Sequence, residues 1–127
     1  MNRNRPTNIN PAALATLQFP IAAITSILHR ITGVILFLSL PIVLWMLSHI
    51  LESQQSFNEL TNFTSSTLGR LVSWGILSAL SYHVFAGLKH LAMDLGYGET
   101  LEAGRFNAKL VIVLGVATAI FWGVWIW

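Results

Sequence analysis

The sequence contains no cysteine among its 127 residues, which excludes disulfides and any zinc or iron–sulfur cluster bound by cysteines of this chain. Charged residues are scarce as well, since they make up only 9% of the chain against about 25% in soluble domains. The formal net charge of +2 is too small to indicate a nucleic-acid-binding protein. Hydrophobic residues make up 54%, which is more apolar surface than a soluble domain of this size can bury. The composition therefore predicts a protein whose solvent is lipid.

Three long apolar stretches follow one another, at about residues 21–51, 68–95 and 106–127. Each approaches or exceeds the roughly 20 residues that a helix needs to cross the hydrocarbon core. None alternates between polar and apolar residues, as the strands of a membrane β-barrel would. The predicted fold class is all-α, a single membrane domain built as a three-helix transmembrane bundle. Residues 1–20 form an N-terminal arm, in which Pro11 after Asn10 predicts a short amphipathic segment at the membrane surface.

The basic residues outside the spans predict the orientation of the chain. Arg3 and Arg5 precede the first span, and Arg105 and Lys109 lie before the third, whereas Arg70 alone lies in the first loop. Because Lys and Arg favour the cytoplasmic side, we expect the N-terminus in the cytoplasm and the C-terminus outside. The first ten residues lack the charged, apolar and small-residue regions of a secretory signal. We therefore expect an unprocessed, multi-pass chain in a bacterial inner membrane.

His83 is the ionisable residue that lies deepest in the second span. At 1.5 Å per residue it lies roughly 14 Å from the cytoplasmic end near Ala92, too deep for a short imidazole to reach water. One interpretation is a histidine hydrogen-bonded to a neighbouring helix; the other is a ligand of a metal or a haem iron. Gly75, Ala79 and Gly87 share its helix face, which leaves room for a flat macrocycle or another helix. These small neighbours favour the ligand.

His90 follows His83 by two helical turns and so lies on the same face, about 10.5 Å further along the helix. The two axial ligands of one iron lie only about 4 Å apart across the haem plane, given bonds near 2 Å. His83 and His90 therefore cannot bind the same iron, and a second ligand would come from elsewhere. We interpret His90 as a polar residue at the helix end.

A second polar cluster lies near the cytoplasmic end of the first span, where Ser26, His29 and Arg30 share one helix face. Arg30 has two interpretations. Either its side chain extends to the lipid head groups at the membrane surface, or it pairs with an anionic group inside the bundle. A haem propionate or a quinone oxygen would be a suitable partner for the guanidinium. The Ser26 hydroxyl adds a small donor beside it.

The remaining polar and small residues of the spans have simpler interpretations. Lys89 and Asp94 lie near the inner end of the second span, where we expect a solvated or loosely paired role, with Asp94 a candidate proton relay. A stripe of small residues on the third span, formed by Gly115, Ala119 and Gly123, predicts helix packing and not chemistry.

Two motifs give the chain a resemblance to a known family. SILHRITG at 26–33 and SYHVFAGLKHLAMDLGYGETLEAGR at 81–105, with RPTNIN at 5–10 and FPIAAITS at 19–26, resemble the large cytochrome b membrane anchor of bacterial succinate dehydrogenase. The likeness extends in order over nearly the whole chain.

The resemblance implies that this subunit pairs with a second, smaller hydrophobic anchor subunit, with haem b between the two. It implies that His83 is a haem axial ligand and that the partner supplies the other histidine. It places His29 and Arg30 near the haem propionates, and Ser26 and Arg30 in the ubiquinone pocket.

The resemblance also implies the larger assembly, succinate:quinone oxidoreductase or respiratory complex II. There a flavoprotein with FAD oxidises succinate, an iron–sulfur subunit passes electrons to ubiquinone, and this chain is a membrane anchor outside the catalytic core. The alternatives are a fumarate reductase anchor, a haem-free structural anchor, and a transporter or channel subunit. The last is disfavoured because the most apolar part of the third span, residues 110–127, carries no polar residue beyond Thr118.

Overall fold

The computed structural model describes residues 20–127, and the amphipathic segment predicted for the N-terminal arm lies outside them. Four α-helices follow in order: α1 Ile21–Ile50, α2 Gln54–Ser65, α3 Thr67–Asp94 and α4 Leu101–Ile126. No strand occurs within the described range. The predicted all-α fold class is confirmed.

Helices α1, α3 and α4 are long and apolar enough to cross a membrane. They contain 30, 28 and 26 residues, and their most apolar 18-residue windows have mean hydropathies of 2.2, 1.4 and 2.1. The three helices contact one another pairwise, and α1 continues through Pro41. The predicted three-helix transmembrane bundle is confirmed.

Side-chain caps and two glycines define the ends of α3 and α4. The Ser66 hydroxyl accepts a hydrogen bond from the Gly69 amide at the start of α3, and the Thr100 hydroxyl accepts one from Ala103 at the start of α4. Because of this cap, α4 begins at Leu101, earlier than the expected residue 106. Gly96 and Gly98 have positive φ angles of 84° and 76°, which only glycine adopts readily, and they let the chain reverse between the two helices.

Helix α2 is a structural element that the apolar pattern does not reveal. It lies between α1 and α3 in the chain and packs against both, burying Ser56 and Leu60. At its junction with α1, His49 Nδ1 lies 3.1 Å from Glu52 Oε2, and His49 Nε2 lies 3.9 Å from Glu59 Oε2. With one buried face and mostly polar residues elsewhere, α2 is suited to the membrane surface.

The interior of the bundle consists of small side chains. Thr25, Ala79, Ala86, Ala108 and Gly115 are buried, whereas large apolar residues lie on the outside. In lipid, burying apolar surface gives little driving force between helices, so close backbone approach through small residues takes its place. The exposed apolar surface is available to lipid and to other membrane subunits.

Aromatic side chains connect α3 to α4 across the stripe of small residues. Tyr82 packs against Gly115, where an added Cβ would lie 2.7 Å from the ring. The Trp74 indole donates a hydrogen bond of 2.8 Å to the Ala119 carbonyl, and the Trp122 indole donates one of 2.9 Å to the Ser81 hydroxyl. The prediction that the stripe serves helix packing is confirmed.

Replacing Gly69 by alanine should destabilise the chain, because a methyl group there would overlap the carbonyl oxygen of Phe63 at the tight α2–α3 junction. The expected loss is about 1–3 kcal/mol, typical of overpacking, measured as a lower midpoint of thermal unfolding in detergent. The matched control is Gly75→Ala on the same helix, which meets no atom within 4 Å. Equal midpoints for the two variants would contradict the described junction.

Candidate functional site

His83 lies on α3 eleven residues before the helix ends, which corresponds to about 16 Å of helix. Its ring is half-buried and faces α1. His83 Nδ1 lies 3.2 Å from the backbone carbonyl oxygen of His29 and 3.2 Å from the hydroxyl oxygen of Thr32. One ring nitrogen is therefore engaged by the neighbouring helix.

The groups that contact His83 Nδ1 indicate which of the two ring nitrogens carries the proton. A carbonyl oxygen only accepts hydrogen bonds, so His83 Nδ1 carries the hydrogen and donates it to His29. The Thr32 hydroxyl is directed at the carbonyls of Leu28 and His29, each 2.9 Å away, so it presents a lone pair to the imidazole. His83 Nε2 then keeps its own lone pair, which is the electron pair that a metal ion would bind.

Two glycines lie beside the imidazoles between α1 and α3, and Gly33 is the one that makes room. A Cβ at Gly33 would lie 3.1 Å from His83 Cε1, and a Cβ at Gly87 would lie 3.6 Å from His29 Nε2. The tight position is thus Gly33 on α1, whereas on the small-residue face of α3 an alanine at Gly87 would make only an ordinary contact with His29 and Gly75 faces open space.

Three histidines gather at this point of the bundle. The rings of His29 and His83 are stacked, with centroids 4.2 Å apart and planes at 24°. The His90 ring lies 5.3 Å from that of His29, so His90 belongs to the cluster as well as lying near the end of α3. In the described range no group of three or more ligating side chains is arranged to hold a metal ion.

Ser26 and Arg30 lie one turn apart on α1, beside His29. Ser26 is half-buried and Arg30 is exposed, and within residues 20–127 neither forms a side-chain hydrogen bond or ion pair. A guanidinium and a hydroxyl on one exposed helix face are available to an anionic or carbonyl-bearing group that approaches from outside the bundle.

At the end of α3 the structure separates Lys89 from Asp94. Asp94 is the exposed last residue of the helix, as a proton carrier in contact with water would need to be. Lys89 is only 9% exposed, and it lines a groove between α3 and α4 together with Asn107 and Val111. The expected solvated or loosely paired role of Lys89 and Asp94 stays a prediction.

Tyr82 is a residue of the site that the sequence interpretation missed. Its hydroxyl donates a hydrogen bond of 3.2 Å to the backbone carbonyl of Thr25 on α1, while its ring packs on Gly115 of α4. Tyr82, which precedes His83 on α3, thereby connects this helix to both α1 and α4. The available signal was a tyrosine inside a span, whose hydroxyl requires a partner in lipid.

Comparisons with known proteins agree in their assignment. A family model described as "Succinate dehydrogenase/Fumarate reductase transmembrane subunit" matches residues 1–122. The succinate dehydrogenase cytochrome b556 subunit of Coxiella burnetii is 41% identical over 100% of both chains. That of Paracoccus denitrificans is 35% identical over 92% of this chain and 88% of its own. The succinate dehydrogenase cytochrome b560 subunit of Reclinomonas americana is 38% identical over 96% of this chain and 87% of its own.

Replacing Tyr82 by phenylalanine should lower stability by about 0.5–1.5 kcal/mol, because the Thr25 carbonyl loses its interhelical donor while the ring keeps its contact with Gly115. Thermal unfolding of the detergent-solubilised protein measures the effect. Tyr97→Phe is the control, since Tyr97 is 71% exposed in the α3–α4 loop. The contact would have no energetic role if both variants unfolded at the wild-type temperature.

Proposed function

The chain belongs to the family of succinate dehydrogenase and fumarate reductase transmembrane subunits, and on that premise we propose that His83 Nε2 binds the iron of haem b. The chain acts as the cytochrome b membrane subunit of succinate dehydrogenase, a part of the complex outside its catalytic core. When bound, haem b supplies a one-electron redox centre. The contribution of this chain is to hold and orient that centre.

The observation that supports this proposal most strongly is the hydrogen bond from His83 Nδ1 to the His29 carbonyl. Metal-ligating histidines characteristically donate their second ring N–H to a carbonyl or carboxylate, which fixes the tautomer and makes the ligating nitrogen more basic. His83 is held in this way by α1, and Gly33 leaves space for its ring. The residues present therefore fit a haem ligand.

The second axial ligand is proposed to come from the partner anchor. His29 stacks over the face of the His83 ring and would serve the haem through its propionates, so it is not the proposed second ligand. His90 lies two turns along α3, too far to reach the same iron. On this proposal a histidine of the partner anchor would complete the site.

His29 and Arg30 are proposed to bind the haem propionates, and Ser26 and Arg30 to line the ubiquinone pocket. Arg30 keeps its charge at every physiological pH and presents several fixed donors to carboxylate or quinone oxygens. Ser26, one turn away, donates from a short side chain. These donors stabilise negative charge that develops on a quinone oxygen during reduction. Asp94, exposed at the end of α3, is proposed to relay protons to that pocket.

The proposed setting is a bacterial inner membrane with the N-terminus in the cytoplasm, in line with the distribution of basic residues. The proposed partners are the second small hydrophobic anchor subunit, an iron–sulfur subunit and a flavoprotein carrying FAD. The large apolar residues exposed on all three spans provide surface for the first of these and for lipid.

Two alternatives make different predictions. A fumarate reductase anchor shares the family, but the relatives quoted above are all named as succinate dehydrogenase subunits, which favours succinate oxidation. A haem-free structural anchor would use His83 only to join α1 and α3, and it would give no cytochrome spectrum.

Replacing His83 by alanine should remove haem b from the purified complex, because the iron loses the ligand that this chain is proposed to provide. The reduced-minus-oxidised optical spectrum should lose most of its cytochrome b bands. His49→Ala is the matched control, since His49 contacts Glu52 and Glu59 at the α1–α2 junction, away from the cluster. An undiminished spectrum in His83→Ala would refute the ligand assignment.

Arg30→Lys and Ser26→Ala should each lower succinate:ubiquinone activity by about tenfold or more, because each weakens a donor to the quinone oxygen. Electron transfer from succinate to a soluble dye, which does not require the quinone pocket, should stay normal. Arg70→Lys, at the other end of the bundle on α3, is the control. A parallel loss of both activities would indicate damaged assembly and not a quinone-binding role.

Asp94→Asn should slow ubiquinone reduction by about tenfold or more while leaving haem content unchanged, because the amide cannot carry a proton. Asp94→Glu should restore much of the rate. The control for loss of an exposed carboxylate is Glu52→Gln, since Glu52 follows the last turn of α1, at the opposite end of the bundle from Asp94. If Asp94→Asn keeps the wild-type rate across the pH range, the relay follows another route.

A further inference from the structure

Thr32 is a half-buried residue of α1 that contacts the imidazole of His83 on the neighbouring helix. Its hydroxyl oxygen lies 3.2 Å from His83 Nδ1, the same distance as the carbonyl oxygen of His29. The Nδ1–H group of His83 therefore faces two acceptors that belong to one helix. The functions proposed above use the carbonyl and leave the hydroxyl without a role.

The two acceptors are not equivalent. In an α-helix the His29 carbonyl also accepts the backbone N–H of Gly33, four residues later, so one of its two lone pairs is already engaged. The Thr32 hydroxyl donates its own hydrogen to a carbonyl of α1, that of Leu28 or His29, each 2.9 Å away. Its lone pairs have no part in the backbone pattern of the helix, so they remain for the N–H group of His83.

A hydroxyl that bonds to a carbonyl three or four residues earlier is common within helices and does not by itself indicate a function. Thr118 on α4 is an example, since its hydroxyl donates to the carbonyls of Leu114 and Gly115 in its own helix. Thr32 differs because its oxygen also contacts an imidazole on another helix. Because threonine is branched at Cβ, its χ1 angle is restricted in a helix, and the oxygen keeps its direction towards His83.

Two further contacts with α1 limit the rotation of the His83 ring. The His29 ring stacks on one face, with the two centroids 4.2 Å apart. Gly33 lies at the ring edge, where an added Cβ would lie 3.1 Å from His83 Cε1. With Nδ1 held by the carbonyl and by the Thr32 hydroxyl, the plane of the imidazole is determined by α1.

We propose that Thr32 is a positioning residue for the haem ligand, which accepts a hydrogen bond from His83 Nδ1–H, fixes the plane of the imidazole and makes Nε2 a stronger electron donor. This inference rests on the proposed function, in which Nε2 binds the haem iron. A stronger donor favours ferric over ferrous iron, and hydrogen bonds to the ligand are one way in which proteins adjust this balance. Thr32 thereby lowers the reduction potential of the cytochrome.

The test is a redox titration of the cytochrome in the purified complex, combined with the EPR g values of the ferric form, which depend on the relative orientation of the axial ligand planes. Thr32→Val keeps the approximate shape of the side chain and removes the acceptor. At a fixed solution potential, it should raise the ratio of reduced to oxidised cytochrome by roughly twofold to tenfold, the factor that corresponds to one hydrogen bond of ordinary net strength. The g values should shift as well.

Thr32→Ser retains the hydroxyl and should restore both readouts. The matched control is Thr118→Val, the same change at a hydroxyl bonded within its own helix, which should leave both at their wild-type values. Wild-type potential and g values in Thr32→Val would overturn the proposal. Equal shifts in Thr32→Val and Thr118→Val would also overturn it, since they would indicate an effect of helix packing alone.

If Thr32→Val does not assemble, Thr32→Cys, whose sulfur is only a weak acceptor, should move the potential in the same direction, and an unmoved potential would refute the role of Thr32. The His83→Ala spectrum separates this inference from the proposed function. Loss of the cytochrome bands in His83→Ala with an unchanged potential in Thr32→Val would refute only the role of Thr32. An undiminished spectrum in His83→Ala would refute the ligand assignment and this inference with it.

Discussion

The hydrogen bond between His83 Nδ1 and the backbone carbonyl of His29 is the interaction on which the site depends. In a bilayer a polar group must find its partner inside the protein, and this contact provides one for a ring that lies far from either helix end. The same contact sets how α1 faces α3, and the bond from Tyr82 to Thr25 reinforces it. The consequence for function is that Nε2 is left with its lone pair for a ligand from outside the chain.

The packing of the bundle also follows from the lipid that surrounds it. Ala79, Ala86 and Ala108 lie inside, while large apolar side chains cover the outside. Such a chain has little interior of its own, and its surfaces are available to lipid and to other subunits. Lys89 departs from this pattern because it is a largely buried residue of a type that usually lies exposed.

Much of the architecture could be predicted from the sequence, since continuous apolar runs of sufficient length predict spanning helices. Helix α2 could not, because its residues are mostly polar and only Ser56 and Leu60 are buried. His83 could be identified as a ligand candidate because its depth is readable from its position. The burial of Lys89 and the contact of Tyr82 depend on which face of α3 meets α4. A helix that is apolar all round gives no periodic signal for that choice.

The most direct test is a structure of the assembled complex at a resolution that shows individual side chains. The account predicts a porphyrin iron about 2 Å from His83 Nε2, with Nδ1 still directed at the His29 carbonyl and a histidine from another subunit on the opposite side. An iron held by a different side chain of this polypeptide, or an assembly without porphyrin, would contradict it.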